Sequence, residues 1–218
     1  FQTGPVLFTP NFAPREEYEA GLKMGAQVTL DNLHPLEAWP EIFAGQEIFL
    51  RVDPGTGRGH HAHVRTAGSR SKFGISLEEL DRARTLAASA GARVTGLHAH
   101  SGSGIRTPEN WGQLGALLSE LIELFPDVTT IDVGGGLGIP EKPGQLPLDL
   151  TALDSSLSSL GLRERGVSLW IEPGRFCVAT AGVLLTRVTQ RKTKGSVHYV
   201  GVDAGMHSLI RPALYGAY

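Results

Sequence analysis

A single cysteine, Cys177, among 218 residues excludes an intrachain disulfide framework and any cysteine-built metal site. Charge of neither sign is in surplus. Twenty basic against 22 acidic side chains leave a net charge of -2, with no electrostatic pull toward nucleic acid or an anionic membrane surface. No apolar run approaches the roughly 20 residues needed to cross a bilayer. Residues 1–10 lack the basic start and apolar middle of a signal peptide. Internal repeats and low-complexity stretches are also missing. These absences leave a soluble, cytoplasmic enzyme domain as the expectation. What the chain has in excess is glycine: 28 residues, about 13% against an ordinary ~7%. The glycines stand beside strand-like runs, so they do not read as a linker.

Six short apolar runs, residues 6–9, 27–30, 48–52, 93–98, 128–133 and 167–171, are rich in β-branched side chains and read as buried strands. Amphipathic helix patterns lie between them. Pro14 opens one carrying Tyr18 and Leu22. Ser76 with Glu79 forms a capping box ahead of Leu77, Leu80, Ala83 and Ala87. Thr107-Pro108 opens a third, with Leu114, Leu117, Leu118 and Leu121, and Leu150, Leu153, Leu157 and Leu160 define a fourth. Strand–helix alternation predicts a parallel α/β sheet. Six units fall short of the eight of a closed barrel, and an open doubly wound sheet could also use six, so periodicity leaves both open. After Arg175 the rhythm changes. Residues 183–189 and 197–202 read as an antiparallel hairpin around a basic turn at 191–195, the start of a second domain. The longest structureless stretch, 53–75, predicts a functional or mobile loop.

Ligands of parallel α/β folds bind at the carboxyl ends of strands. The fourth run ends in His98-Ala99-His100-Ser101-Gly102-Ser103-Gly104, the fifth in Asp132-Val133-Gly134-Gly135-Gly136, and the sixth in Glu172-Pro173-Gly174-Arg175. Gly134, Gly135 and Gly136 would let the backbone approach a ligand without a Cβ in the way and cradle a phosphate, although three glycines serve equally well as a tight turn. Ser103 and the backbone at Gly174 and Arg175 could add donors. Neither GxGxxG spacing nor a P-loop lysine is present, which favours a lone phosphate group over a nucleotide. The His98/His100 pair also fits a metallohydrolase, which would need further ligands from Asp132 or Glu172. His60, His61 and His63 read as a solvated cluster. Glu172, at the mouth of an apolar strand, must pair with something. The candidates are Arg175 in the same turn or the protonated ring nitrogen of a cofactor.

Taken in order, VLFTPN, VTLDNLHPLEAW, LRVDPG, SKFGI, GLHAHSGSGI, IDVGGGLGIP, EPGRFCVATAGVLLTRV and VDAGMHSLIRPALYGAY resemble the pyridoxal-phosphate decarboxylases of the alanine-racemase-like barrel class, and within it the diaminopimelate decarboxylases. The resemblance implies a partial (β/α)8 TIM barrel, six of its eight βα units, over residues 1–180, followed by the first strands of a β-domain over 181–218. It implies pyridoxal 5'-phosphate as cofactor and no catalytic metal. His100 would stack on the ring as the catalytic residue present in the chain. Ser103, Gly134, Gly135, Gly136 and Gly174 would hold the phosphate, Pro173 and Arg175 would also contact the cofactor, and Glu172 would face the pyridine nitrogen. Lys72 and Phe73 would order a loop. Arg175, with Arg211 and Tyr215 of RPALY, would take a substrate carboxylate in a bidentate fork, favouring meso-2,6-diaminopimelate and lysine as product over substrates with a distal ammonium alone. The partners implied are a small amino-acid substrate and, in an intact parent, a second copy of the chain.

The sequence also departs from that family. No YAxKA-like motif with its Schiff-base lysine occurs, and Lys23, Lys72, Lys142, Lys192 and Lys194 are the only lysines. The resemblance starts at the family's third barrel strand and stops short of its C-terminal sheet, so the expectation is a central fragment without turnover of its own. GHHAHVRTAGSRSKFG, residues 59–74, is similar instead to forms fused to an aspartate kinase. Three alternatives stay open: a decarboxylase for another basic amino acid, a metal-dependent hydrolase using the His98/His100 pair, and a non-catalytic pyridoxal-phosphate-binding module.

Overall fold

A computed structural model describes residues 6–55 and 71–216 of the chain. His60, His61, His63 and most of the 59–74 stretch lie outside the described residues. In chain order the elements are β1 (Leu7–Phe8), α1 (Arg15–Lys23), β2 (Gln27–Leu30), α2 (His34–Ala38), β3 (Glu47–Arg51), α3 (Leu80–Ser89), β4 (Arg93–His98), α4 (Glu109–Leu121), β5 (Thr130–Gly135), α5 (Leu150–Ser158), β6 (Ser168–Glu172), α6 (Gly174–Val178), β7 (Val188–Lys194), β8 (Val197–Val202) and α7 (Ile210–Tyr215). No helix among the described residues is long and apolar enough to cross a membrane.

Strands β1 to β6 pair in sequence order and always in parallel. A doubly wound sheet reverses direction part-way, and this one does not. Right-handed crossovers that always step the same way put every helix on one face, so the sheet curls as a barrel wall does. A contact between rings confirms the curl. Phe49 of β3 and Trp170 of β6 stack with centroids 5.7 Å apart, although three strand spacings on a flat sheet would separate those strands by roughly 14 Å. Gly96 of β4 makes room for Phe49, since a Cβ there would fall 2.2 Å from the ring. The structure thus decides between the two architectures that periodicity left open.

The helix faces meet most of their expectations. Tyr18, Leu80, Ala83, Ala87, Leu114, Leu118 and Leu153 are buried against Val28, Leu30, Ile48, Leu50, Val94, Leu97, Ile131 and Val133 of the strands. Full burial of each larger side chain contributes roughly 1.5–3 kcal/mol. Leu150 is a correction, exposed at the first position of α5, and Leu77 is another. It stays exposed because the chain enters α3 through a 3-10 turn at Leu77–Glu79, while the Ser76 hydroxyl reaches Glu79 at 3.1 Å. Asp149 caps α5 by accepting from the Ala152 N–H. The hairpin is present but shifted. Strand β7 starts at Val188 instead of 183, and its antiparallel pairing with β8 runs to Lys194 opposite Val197, so the reversal falls on Gly195 at positive φ.

Candidate active site

Two glycine-rich loops at the ends of β4 and β5 lie against each other. The Ile105 N–H donates to the Gly136 carbonyl and the Gly138 N–H to the Ile105 carbonyl. Trp111 of α4 donates its indole N–H to the Gly135 carbonyl, and Asp132 accepts from the Gly134 N–H. The triple glycine has a packing reason that the sequence did not reveal. An added Cβ would sit 2.7 Å from the Ala99 carbonyl at Gly134, 2.1 Å from the Glu172 carbonyl at Gly135 and 1.9 Å from the Gly102 carbonyl at Gly136. The space a side chain would need belongs to neighbouring strand ends, as the tight-turn reading requires, while Gly135 and Gly136 still line the cavity described below. At Gly174, by contrast, nothing lies within 4 Å.

Gly136→Ala therefore combines a clash with a left-handed backbone, φ +81°. The expected cost is about 3 kcal/mol, read as a lower urea midpoint at unchanged slope. Gly144 has the same φ in open space, so Gly144→Ala should lose only about 1 kcal/mol. Equal losses would refute the packing argument.

The Gly135 N–H donates to His100 Nδ1 at 3.2 Å, which leaves the ring proton on Nε2 and fixes the imidazole plane. Burial, together with nearby His98 and Arg51, pulls the His100 pKa down to about 4, so the ring is neutral at pH 7.

Beneath His100 the strand ends carry a layer of charge. Asp31, Arg51, His98 and Asp132 are all buried. Arg51 lies 3.3 Å from Asp31 and 4.5 Å above the Phe73 ring, and Asp31 also accepts from Asn11 and the Gly74 N–H. Burial pushes the Asp31 carboxyl up and the Arg51 guanidinium down, each opposed by its partner's charge. Neither residue was singled out from sequence. The available signal was a charged side chain directly after or within an apolar strand, in VTLD and IFLR.

Glu172 finds its neighbour here. His98 Nε2 lies 3.6 Å from Glu172 Oε2. His98 first, against partial burial, holds the Glu172 carboxyl below the usual carboxylate range. Arg175, the local alternative, turns away to other partners. His98, Asp132 and Glu172 bring one ligand atom each within 4.8 Å of one another. The HxH pair is thereby split, with His98 in this cluster and His100 on the glycine loop.

Arg175 Nη1 donates to Glu141 Oε1 at 2.5 Å, and its Nη2 lies 3.4 Å from Ser103 Oγ. Arg211 of α7 donates to the same Glu141 oxygen at 2.8 Å. Tyr215, in the last turn of α7, is partly buried. The two arginines of the sequence reading thus come together on a carboxylate that it missed. One cavity of about 180 Å³ is lined by His100, Ser103, Gly135, Gly136, Glu172, Pro173, Gly174 and Arg175, with Leu137 and Phe176. Gly134 lies behind it, and Arg211 and Tyr215 are not in its lining.

Residues 1–179 match the family described as pyridoxal-dependent decarboxylase, pyridoxal binding domain. The chain belongs to the pyridoxal-dependent decarboxylases. Among curated members of known activity, it is 36% identical over 230 residues to diaminopimelate decarboxylase of Methanothermobacter thermautotrophicus, covering all of this chain and 54% of that protein. The Escherichia coli diaminopimelate decarboxylase is 35% identical over 224 residues, covering 100% and 53%. A crystal structure of a diaminopimelate decarboxylase superposes with TM-score 0.88 at 32% identity, over 98% of this chain and 52% of the other. The Helicobacter pylori diaminopimelate decarboxylase complexed with L-lysine also gives 0.88, at 26% identity, over 97% and 55%. The chain spans about half the length of the decarboxylases it matches. These likenesses put the six βα units in a TIM-barrel framework, with the antiparallel β7–β8 sheet following it.

Proposed function

We propose that these residues form the cofactor face and part of the substrate site of a decarboxylase that converts meso-2,6-diaminopimelate to L-lysine and carbon dioxide. Residues 1–180 would be the cofactor-binding barrel segment and 181–218 part of a β-domain, in a cytoplasmic homodimer. The observation that carries the reading is the set of groups around one small cavity: a neutral imidazole, a hydroxyl beside a guanidinium, an open glycine and an ionised carboxylate.

That set fits pyridoxal 5'-phosphate. Ser103 and Arg175, 3.4 Å apart, would hold the phosphate, with the Gly135, Gly136 and Gly174 backbone beside them. His100 would cover the ring face, since a neutral imidazole fixed at Nδ1 stacks without repelling a ring that carries a proton. Glu172 would hold a proton on the pyridine nitrogen. When bound, the cofactor supplies an electron sink for the pair left by the departing carboxylate. Asp31 and Arg51 pair with each other in the buried layer of strand ends.

The substrate half rests on Arg175 and Arg211. Two guanidiniums converging on one carboxylate oxygen form a receptor for a carboxylate at the far end of a substrate. The test is carbon dioxide release and lysine formation by an intact decarboxylase that carries these residues together with a Schiff-base lysine, supplied with meso-2,6-diaminopimelate, ornithine or arginine. Preference for diaminopimelate by at least 10²-fold in kcat/KM is expected. Preference for ornithine or arginine would overturn the reading.

A further inference from the structure

The arginine pair is built around Glu141, whose second oxygen the carboxylate-receptor argument leaves unused. Three features define it. First, its backbone is pinned independently of its side chain, because the Glu141 and Lys142 N–H groups both donate to Gln145 Oε1, at 2.8 and 3.2 Å. The side chain is thus aimed by a turn that another residue closes. Second, both guanidiniums bond the same oxygen, Oε1. Oε2 accepts no hydrogen bond from any described residue, and the side chain is 26% exposed. Third, the charges do not cancel within the trio, since two arginines and one glutamate leave one positive charge in excess.

A surface with one unspent cation and one unspent anionic acceptor, side by side, is complementary to a zwitterion. The end of diaminopimelate that survives as the amino-acid end of lysine is such a group, with a carboxylate and an ammonium on one carbon. We propose that Glu141 is a specificity-determining residue that accepts the distal ammonium on Oε2 while its Oε1 holds Arg175 and Arg211 for the distal carboxylate. This rests on the diaminopimelate reading. The attraction of Arg211 and Arg175 outweighs partial burial and holds the Glu141 carboxyl below the usual carboxylate range, so the acceptor is charged at neutral pH.

The test uses ligands that do not turn over. L-Lysine carries the zwitterionic end, and 6-aminohexanoate is the same molecule without its α-ammonium. In calorimetry on the full chain loaded with cofactor, the unaltered protein should bind L-lysine at least tenfold more tightly than 6-aminohexanoate. Glu141→Gln should weaken L-lysine about tenfold and leave 6-aminohexanoate within twofold. Equal weakening of both ligands would show that Glu141 only locks the arginines, and tighter binding of 6-aminohexanoate would show that it shields them. Either result overturns the proposal. Should the variant fail to fold, equal affinity of the two ligands for the unaltered protein would overturn it alone. Failure of the substrate reading shows separately, as ornithine preference in the turnover assay whatever the lysine affinities.

Discussion

Glu172→Gln, in an intact decarboxylase that carries these residues with a Schiff-base lysine, is expected to lower decarboxylation about 10²- to 10³-fold while the cofactor stays bound. The magnitude is that of removing one preorganised charge-stabilising group, here a side chain 41% exposed at the cavity edge. A glutamine keeps the size and one acceptor of Glu172 but cannot hold a proton on a ring nitrogen, because it supplies no negative charge. The phosphate contacts proposed for Ser103 and Arg175 lie elsewhere in the cavity, so cofactor absorbance should persist at unchanged stoichiometry. A kcat within threefold of the unaltered protein would refute the role. The pH dependence follows from the neighbours. His98 holds the Glu172 carboxyl below its usual value of 4.5. A carboxyl depressed on folding contributes stability that is complete above its unfolded pKa and is lost as pH falls through the folded one. His100 acts in the same direction by a different route. Its pKa falls from 6.5 to about 4 on folding, so the unfolded chain binds more protons between those values and stability declines as pH drops from 6.5 to about 4. Acid should thus loosen the His100 and Glu172 sides of the cavity together.

How much of this was legible in the sequence depended on whether a signal was local. The six strands were, because each is a short apolar run, although the expectation that all are buried holds for β2 to β5 and not for the outer strands: β1 is half-buried, and β6 is half-buried to exposed with Ile171 43% exposed. The strand-end loops were legible too, since glycine clusters beside such runs mark close approach. Their cause was not. The Cβ that each of Gly134, Gly135 and Gly136 would carry meets a carbonyl at another strand end, from 34 to 37 positions away in sequence, and only the curl of the sheet brings those carbonyls near. The same holds for the choice between open sheet and barrel, which rests on strand order and on Phe49 meeting Trp170. Asp31 and Arg51 looked like ordinary charges at strand ends until the fold buried them as a pair. Glu141 had no motif. It follows a proline in an irregular segment, and its meaning comes from Arg175, 34 positions on, and Arg211, 70 positions on. Glu172 was read correctly as needing a partner, but the nearby candidate was wrong because α6 turns Arg175 toward Ser103 and Glu141.

Arg211→Glu is expected to reduce kcat/KM for diaminopimelate about 10²-fold, chiefly through KM, and to move preference toward substrates whose far end is only an ammonium. Reversing the charge removes a guanidinium that donates at 2.8 Å to Glu141 and sets a second carboxylate against it. Loss of one partner from a buried charge pair costs about 2–5 kcal/mol. The Arg211 side chain is 42% exposed, so screening places the effect toward the lower end. The rate after binding should change little, because Arg211 is absent from the lining of the cavity that holds His100 and Glu172. Arg211→Lys separates charge from geometry. A lysine keeps the cation but loses the fork that can serve Glu141 and a substrate carboxylate at once, so it should recover only part of the loss. Full recovery by lysine would mean that Arg211 acts as a point charge. An unchanged KM in the glutamate variant would remove α7 from the substrate site, leaving Arg175 as the sole carboxylate receptor among the described residues.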